Sequence, residues 1–180
     1  SEDDLVNFQT LEDAIREKAE ITCTYNGFEF LVKPLKLALF EGFWYLLLLD
    51  SKKGNKFKKF HLKSIKDIKH SGEKFELSSE LDERVKAMNS AWANLEAPKT
   101  ARLLLAPEVA KYFERKPHAK QRITGQDSDG SVEIEIEFTH MMEIKPLIYY
   151  YLPFIKVLEP KELADEVKKD VSEYLKEINF

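Results

Sequence analysis

Residues 28–62 read FEFLVKPLKLALFEGFWYLLLLDSKKGNKFKKFHL, and how this stretch is read decides the fold. It is dense in aromatic and aliphatic residues and is interrupted at Glu41-Gly42 and Lys53-Gly54-Asn55, residue types that reverse a chain. Strands are predicted over Phe28–Phe40, Gly42–Asp50 and Lys56–Leu62. Working outward, Asn26-Gly27 turns back to a strand at Ile21–Tyr25, and Ile65–Lys69 supplies a fifth. So short a sheet has unpaired edges unless it curls closed, so a small five-stranded Sm/SH3-like β-barrel is expected.

Upstream, Leu5, Phe8, Leu11, Ile15 and Ala19 recur at helical spacing, which predicts an N-terminal helix. Downstream, Glu80–Leu95 is expected to be a linking helix, with Leu81, Val85, Met88 and Trp92 on one face and Pro98 beyond it. From Thr100 the expected order is strand 102–105, helix 108–115, strands 121–126 and 132–138, helix 144–151, strand 155–158 and helix 161–178. This βαββαβα order is that of a ferredoxin-like α+β domain with a tail helix. Its best support is Val132, Ile134, Ile136 and Phe138 alternating with Glu133, Glu135 and Glu137, one buried face and one wet face. The fold class is therefore α+β, with a barrel at 1–78, a linker helix at 79–99 and a ferredoxin-like domain at 100–180.

Net charge of -4 argues against a uniformly basic nucleic-acid coat, yet eight lysines lie between Lys52 and Lys69 against the single acid Asp67. Lys56, Lys58, Lys59 and Lys63, interleaved with Phe57 and Phe60, would suit single-stranded nucleic acid through phosphate attraction and base stacking. The alternative is a solvated strand that protects a sheet edge. One cysteine, Cys23, and no secretory leader pattern point to a reducing, cytoplasmic setting. No membrane span is expected, because the longest apolar run, Phe43–Leu49, is far below the roughly 20 residues a spanning helix needs. The acidic start at Ser1 without a methionine leads us to expect further protein upstream.

Strand parity puts Lys58 on the face of Phe60 and Leu62, where a lysine needs a counter-charge or an opening to solvent. That makes it a ligand-contact candidate, with snorkelling at the barrel rim as the alternative. His61 has the opposite parity and Tyr25 ends the first strand; each is a second contact candidate or a plain surface residue. Trp44 and Tyr45 point to opposite faces of a strand expected to be covered on both sides, and core packing is expected for both. A ligand at the barrel would thus be met by Tyr25, Trp44, Tyr45, Lys58 and His61. The row Leu147, Tyr150, Tyr151 and Phe154 reads as core or as a dimer surface, with core preferred.

Enzyme signals are weak, and no enzymatic activity, metal or cofactor is expected. The six glycines do not form a phosphate-cradling loop. Asp127-Ser128-Asp129-Gly130 begins like a calcium loop, but Val132 and Phe138 stand where glycine and glutamate are required. His140 and Glu143 have no second pair to complete a metal site, and Cys23 has no evident base beside it.

The ordering of Pro34-Leu35-Lys36-Leu37, Trp44-Tyr45-Leu46 and Lys58-Lys59-Phe60-His61-Leu62-Lys63-Ser64-Ile65 resembles the WYL domain. Ile155-Lys156-Val157-Leu158-Glu159-Pro160, running into a last helix, is similar to the extension that often follows it. The resemblance implies the effector-sensing and dimerisation part of a bacterial transcriptional regulator. Its DNA contact would be made by an N-terminal helix-turn-helix absent from these residues, its effector would be a nucleotide or nucleic acid, and the protein would be a homodimer. Where such domains commonly carry arginine, this sequence has Phe30, Lys58 and Ser64, so planar bidentate phosphate recognition is weakened. The competing expectation is a nucleic-acid-binding module that uses the lysine-rich strand directly.

Overall fold

The computed structural model describes residues 2–178. The chain is of mixed α+β class and divides into two compact units, Ser1–Leu95 and Glu96–Phe180.

In the first unit, helix α1 (Glu2–Glu17) precedes strands β1 (Ala19–Tyr25), β2 (Phe28–Phe40), β3 (Phe43–Asp50), β4 (Lys56–His61) and β5 (Ile65–Lys74). All neighbours are antiparallel, in the order β4-β3-β2-β1-β5. The turns follow their chemistry: Asn26 and Gly27 take φ of 50° and 83°, and Glu41 and Gly42 take 50° and 84°, the left-handed pair that a tight hairpin requires. β2 is long because it changes partners' alignment midway. Pro34 faces Leu48 while Lys36 faces Leu47, so Leu35 is an extra residue that bends the strand where proline offers no N–H.

β3 is covered on both faces, as its unbroken apolar run implies. Leu46 and Leu48 join Leu11, Ala14, Ile21, Val32, Phe60 and Ile65 in one core, under α1. Leu47 and Leu49 join Leu35, Phe40, Phe75, Val85 and Met88 in a second. Each fully buried leucine stabilises the fold by about 1.5–3 kcal/mol relative to exposure. Helix α2 (Ser79–Ala87) opens on Ser78, whose side chain accepts the Leu81 N–H. It stops well before Leu95, the end expected from its apolar spacing. Ser90 Oγ accepts the Trp92 N–H, a local bond that competes with continued helix, and Trp92 is exposed while Ala93 is buried.

The second unit runs β6 (Lys99–Leu105), α3 (Pro107–Arg115), β7 (Gln121–Gln126), β8 (Val132–Phe138), α4 (Lys145–Tyr150), β9 (Ile155–Glu159) and α5 (Lys161–Glu177). Its antiparallel sheet has the order β7-β8-β6-β9. Val132, Ile134, Ile136 and Phe138 pack with Ala101, Leu103 and Leu105 against Val109 and Phe113 of α3, Ile148 of α4 and Leu163 of α5. The intervening positions are polar, with Arg102 ion-paired to both Glu133 and Glu159. α4 and α5 are tied by Lys145, 2.6 Å from Asp170, and by the Tyr149 hydroxyl donating to the same carboxylate. Of the row Leu147, Tyr150, Tyr151 and Phe154, Leu147 and Tyr151 pack against this core, as preferred from the sequence, whereas Tyr150 and Phe154 are exposed. Tyr150 is 80% exposed, because the single-sided burial of so short a helix is satisfied by Leu147, Ile148 and Tyr151.

Candidate functional site

The hairpin of β3 and β4 builds the site in the first unit. Leu48 lies opposite Lys58 and Asp50 opposite Lys56, so Asp50 and Lys58 are diagonal neighbours on one face. Lys58 Nζ donates to Asp50 Oδ2 at 2.6 Å. Asp50 is 2% exposed, and its other oxygen accepts the Lys52 N–H at 3.1 Å, capping the short turn that begins at Ser51. The Lys58 side chain retains 28% exposure. Lys58 therefore has both the counter-charge and the solvent opening that a core-facing lysine requires.

A cluster of three rings adjoins this cation through Phe30. The ammonium stands 4.9 Å from the Phe30 ring centroid, an attraction to the ring face. Tyr25 lies flat against Phe60, with centroids 3.9 Å apart, and Phe30 meets Phe60 edge-on at 4.9 Å. The Tyr25 hydroxyl accepts the backbone N–H of His61 at 3.2 Å, which leaves its own proton to donate. Phe30 thus supports Lys58 at a position where an arginine would have added a second cation. The group offers one cation, one phenol and an aromatic wall, a chemistry suited to an anion carrying an apolar or aromatic part.

Not all the sequence candidates meet there. Tyr25 and Lys58 share this side. The His61 ring is on the other, 5.6 Å from Tyr45 and 5.5 Å from Phe43, and reaches Tyr25 only through its backbone. Tyr45 packs beside Phe40, and Trp44 meets Phe8 of α1 edge-on at 5.0 Å. Core burial of both aromatics is not what forms: Trp44 is 40% exposed and Tyr45 half-buried, since both sit at the turn end of β3, where cover from α1 and α2 is thin.

The lysines are unequal. Lys59 Nζ donates to the carbonyls of Ala91, at 2.7 Å, and Ala93, which fastens the segment after α2 to the sheet. Lys58 is held by Asp50, while Lys56 and Lys63 are exposed. Sequence reasoning passed over Asp50. Its signal was an acid closing an otherwise apolar strand immediately before a turn, two residues out of register from a lysine of the same parity. It also passed over Glu20, which is 9% exposed and accepts hydrogen bonds from Ser51 and Ser71.

Cys23 is buried in β1, and burial pushes its thiol up to about 11, so it stays protonated at neutral pH. Asp127–Gly130 is a turn, with Asp129 accepting the Ser131 N–H, which holds its carboxyl below the usual range. Glu143 accepts hydrogen bonds from the backbone of Thr139 and His140 as part of a capping turn. Among the described residues no cluster of three His, Cys, Asp or Glu side chains is arranged for a metal ion, and no helix is long and apolar enough to cross a membrane.

Residues 6–70, which contain every member of this site, match the WYL domain, and residues 97–175 match the WCX domain. The chain belongs to the WYL-domain family. The WYL domain thus comprises α1 and the five strands, and the WCX domain comprises the second sheet with its helices. A polyribonucleotide nucleotidyltransferase of Campylobacter concisus (strain 13826) is 33% identical over 119 residues, 60% of this chain and 16% of that protein. Among solved structures, a CRISPR Cas-related protein is similar over 98% of this chain and 53% of that one, with a TM-score of 0.64 and 14% identity. Proteasome accessory factor B/C (PafBC) of Arthrobacter aurescens aligns over 99% of this chain and 28% of that one, with a TM-score of 0.43 and 18% identity. The chain therefore spans about half or less of each of these proteins.

Proposed function

We propose that this WYL–WCX chain is the effector-sensing and dimerisation part of a transcriptional regulator, with no enzymatic activity of its own. An anionic ligand, a nucleotide or a stretch of single-stranded nucleic acid, binds at Lys58 and Tyr25. It changes how an N-terminal helix-turn-helix domain, outside these residues, is presented to DNA. The protein works in the cytoplasm as a homodimer. The observation that carries the reading is the Lys58 ammonium over the Phe30 ring, which itself packs with Tyr25 and Phe60; the cation is only partly exposed, yet open enough to reach a ligand. The sheet order with its turn between β4 and β5 supports an Sm/SH3-like barrel, and the order β9-β6-β8-β7 with interleaved helices supports a ferredoxin-like WCX domain.

Thermal melting with nucleoside phosphates and short single-stranded DNA tests this. A ligand at a hundredfold excess over its Kd adds about 2.7 kcal/mol to stability. In the first unit's melting, followed by the emission of Trp44 and Trp92, the upward shift is expected in the wild type and absent in Lys58→Ala. A shift that is equal in both proteins removes Lys58 from the site, and no shift with any ligand leaves the domain without an effector of this class.

A second reading is favoured by the exposed Lys56 and Lys63 and by the similarity to a polyribonucleotide nucleotidyltransferase. In it the lysine-rich strand binds single-stranded nucleic acid directly. Binding should then weaken steeply with salt, with a slope reduced by about 1 for each phosphate-contacting lysine replaced by alanine. Lys58 and Lys59 contribute less to that slope than Lys56 and Lys63, because their ammonium groups are engaged within the fold.

A further inference from the structure

The WCX domain contains a cavity of about 410 Å³, lined by Tyr112, Phe113, Arg115, Lys116, His118 and Tyr151, with Pro117 and Leu147 completing it. That volume lies within the range of small-molecule sites. Phe113 and Tyr151 form its aromatic floor, with ring centroids 5.1 Å apart, and Tyr112 stands at its edge half exposed. Arg115 and Lys116 enter from the end of α3, and among the described residues neither has a carboxylate within ion-pair distance. Between residues 107 and 122 there are five lysines and arginines against two glutamates, in a unit whose remaining charged side chains are mostly acidic. An unneutralised pair of cations beside a tilted pair of rings lacks one thing, an anion with a flat face.

The loop that closes the cavity is held in place. Gln121 Oε1 accepts the backbone N–H of His118 at 3.1 Å, and its Nε2 donates to the Phe113 carbonyl at 3.4 Å, which fastens residues 116–121 to α3. His118 Nδ1 accepts the Lys120 N–H at 3.5 Å, so the neutral ring carries its proton on Nε2 and presents a donor. Burial, followed by the charge of Lys120, lowers the pKa of this imidazole, so it is neutral at neutral pH.

We propose that this WCX cavity binds a nucleoside phosphate, with the base stacked on Tyr112 and Tyr151, the phosphate held by Arg115 and Lys116, and His118 donating to the base or sugar. The ligand is either a free mononucleotide or the phosphorylated end of a single strand. The site shares no residue with the Lys58 site of the WYL domain and stands or falls independently of it.

The test is calorimetric titration of the full chain with AMP, UMP, adenosine, inorganic phosphate and a 5′-phosphorylated oligonucleotide. AMP and UMP are expected to bind at least about tenfold more tightly than adenosine or phosphate alone, since each half of the ligand has its own partner. Arg115→Ala with Lys116→Ala removes that advantage, and Tyr112→Ala weakens AMP while leaving phosphate unchanged. All three residues are exposed, so these variants keep the fold, which circular dichroism verifies. The component of AMP binding that is lost with Arg115 and Lys116 persists when Lys58 is replaced by alanine, whatever that change does to binding at the WYL domain. A free nucleotide is indicated if AMP binds more tightly than the oligonucleotide, a strand end if the order is reversed. Equal binding of AMP and adenosine, AMP binding that is unchanged by loss of Arg115 and Lys116, loss of the Arg115- and Lys116-dependent component in Lys58→Ala, or no binding at millimolar AMP overturns the assignment.

Discussion

Replacing Lys58 by methionine keeps most of the unbranched apolar stem and removes the ammonium, leaving the Asp50 carboxylate, 2% exposed, with the Lys52 N–H as its remaining partner. Breaking a fully buried ion pair from one side costs about 3–5 kcal/mol; with Lys58 28% exposed, screening reduces this to about 2–3 kcal/mol. The reciprocal change, Asp50→Asn, is milder, at about 1 kcal/mol, because the freed ammonium reaches water and the amide oxygen still caps the Ser51 turn. The double variant recovers part of the loss, since an uncharged pair is not stranded. Both tryptophans, Trp44 and Trp92, lie in the first unit, so their emission reports that unit's unfolding within the whole chain. With a urea slope of about 1–2 kcal/mol per molar, the Lys58→Met midpoint should fall by about 1–3 M and that of Asp50→Asn by about 0.5–1 M. Equal losses, or a Lys58→Met midpoint matching wild type, would refute the view that the buried carboxylate is the partner that cannot be left alone.

Tyr149 donates to Asp170, and burial, followed by that bond, pushes its phenol from 10.0 up to about 12. Stability from this group is full below pH 10 and is lost as pH rises toward 12, because the unfolded chain releases the proton first. Ultraviolet titration of tyrosine ionisation should show a late-titrating component missing from Tyr149→Phe; an identical late component in that variant contradicts the assignment. Cys23, buried with its thiol near 11, should react with a thiol reagent at pH 8 only after unfolding, and rapid labelling of the native chain would show that β1 opens readily.

The five strands, their tight turns and the one-sided strand at 132–138 were legible in the sequence because local periodicity and turn chemistry act over a few residues. The parity argument placing Lys58 on the side of Phe60 also agrees with the structure, since alternation along a strand needs no tertiary information: the ammonium meets Phe30, which packs on Phe60. What failed were inferences about helices and faces that depend on distant cover. Trp92 fits the apolar stripe of a longer α2, yet Ser90 ends that stripe. Tyr150 fits a core row, yet Leu147, Ile148 and Tyr151 take up the covered side of so short a helix and Tyr150 is left exposed.

The sequence by itself determined the element order, the alternation of buried and wet positions and the charge concentrated in one strand. Only the tertiary structure decided which lysine meets Asp50, which are tied to carbonyls, and that Arg115 and Lys116 share a cavity with Tyr151. The reason is physical. Strand parity is written into the covalent chain, whereas an ion pair or a cavity exists only when segments far apart in sequence are brought within a few ångströms by the packing of everything between them.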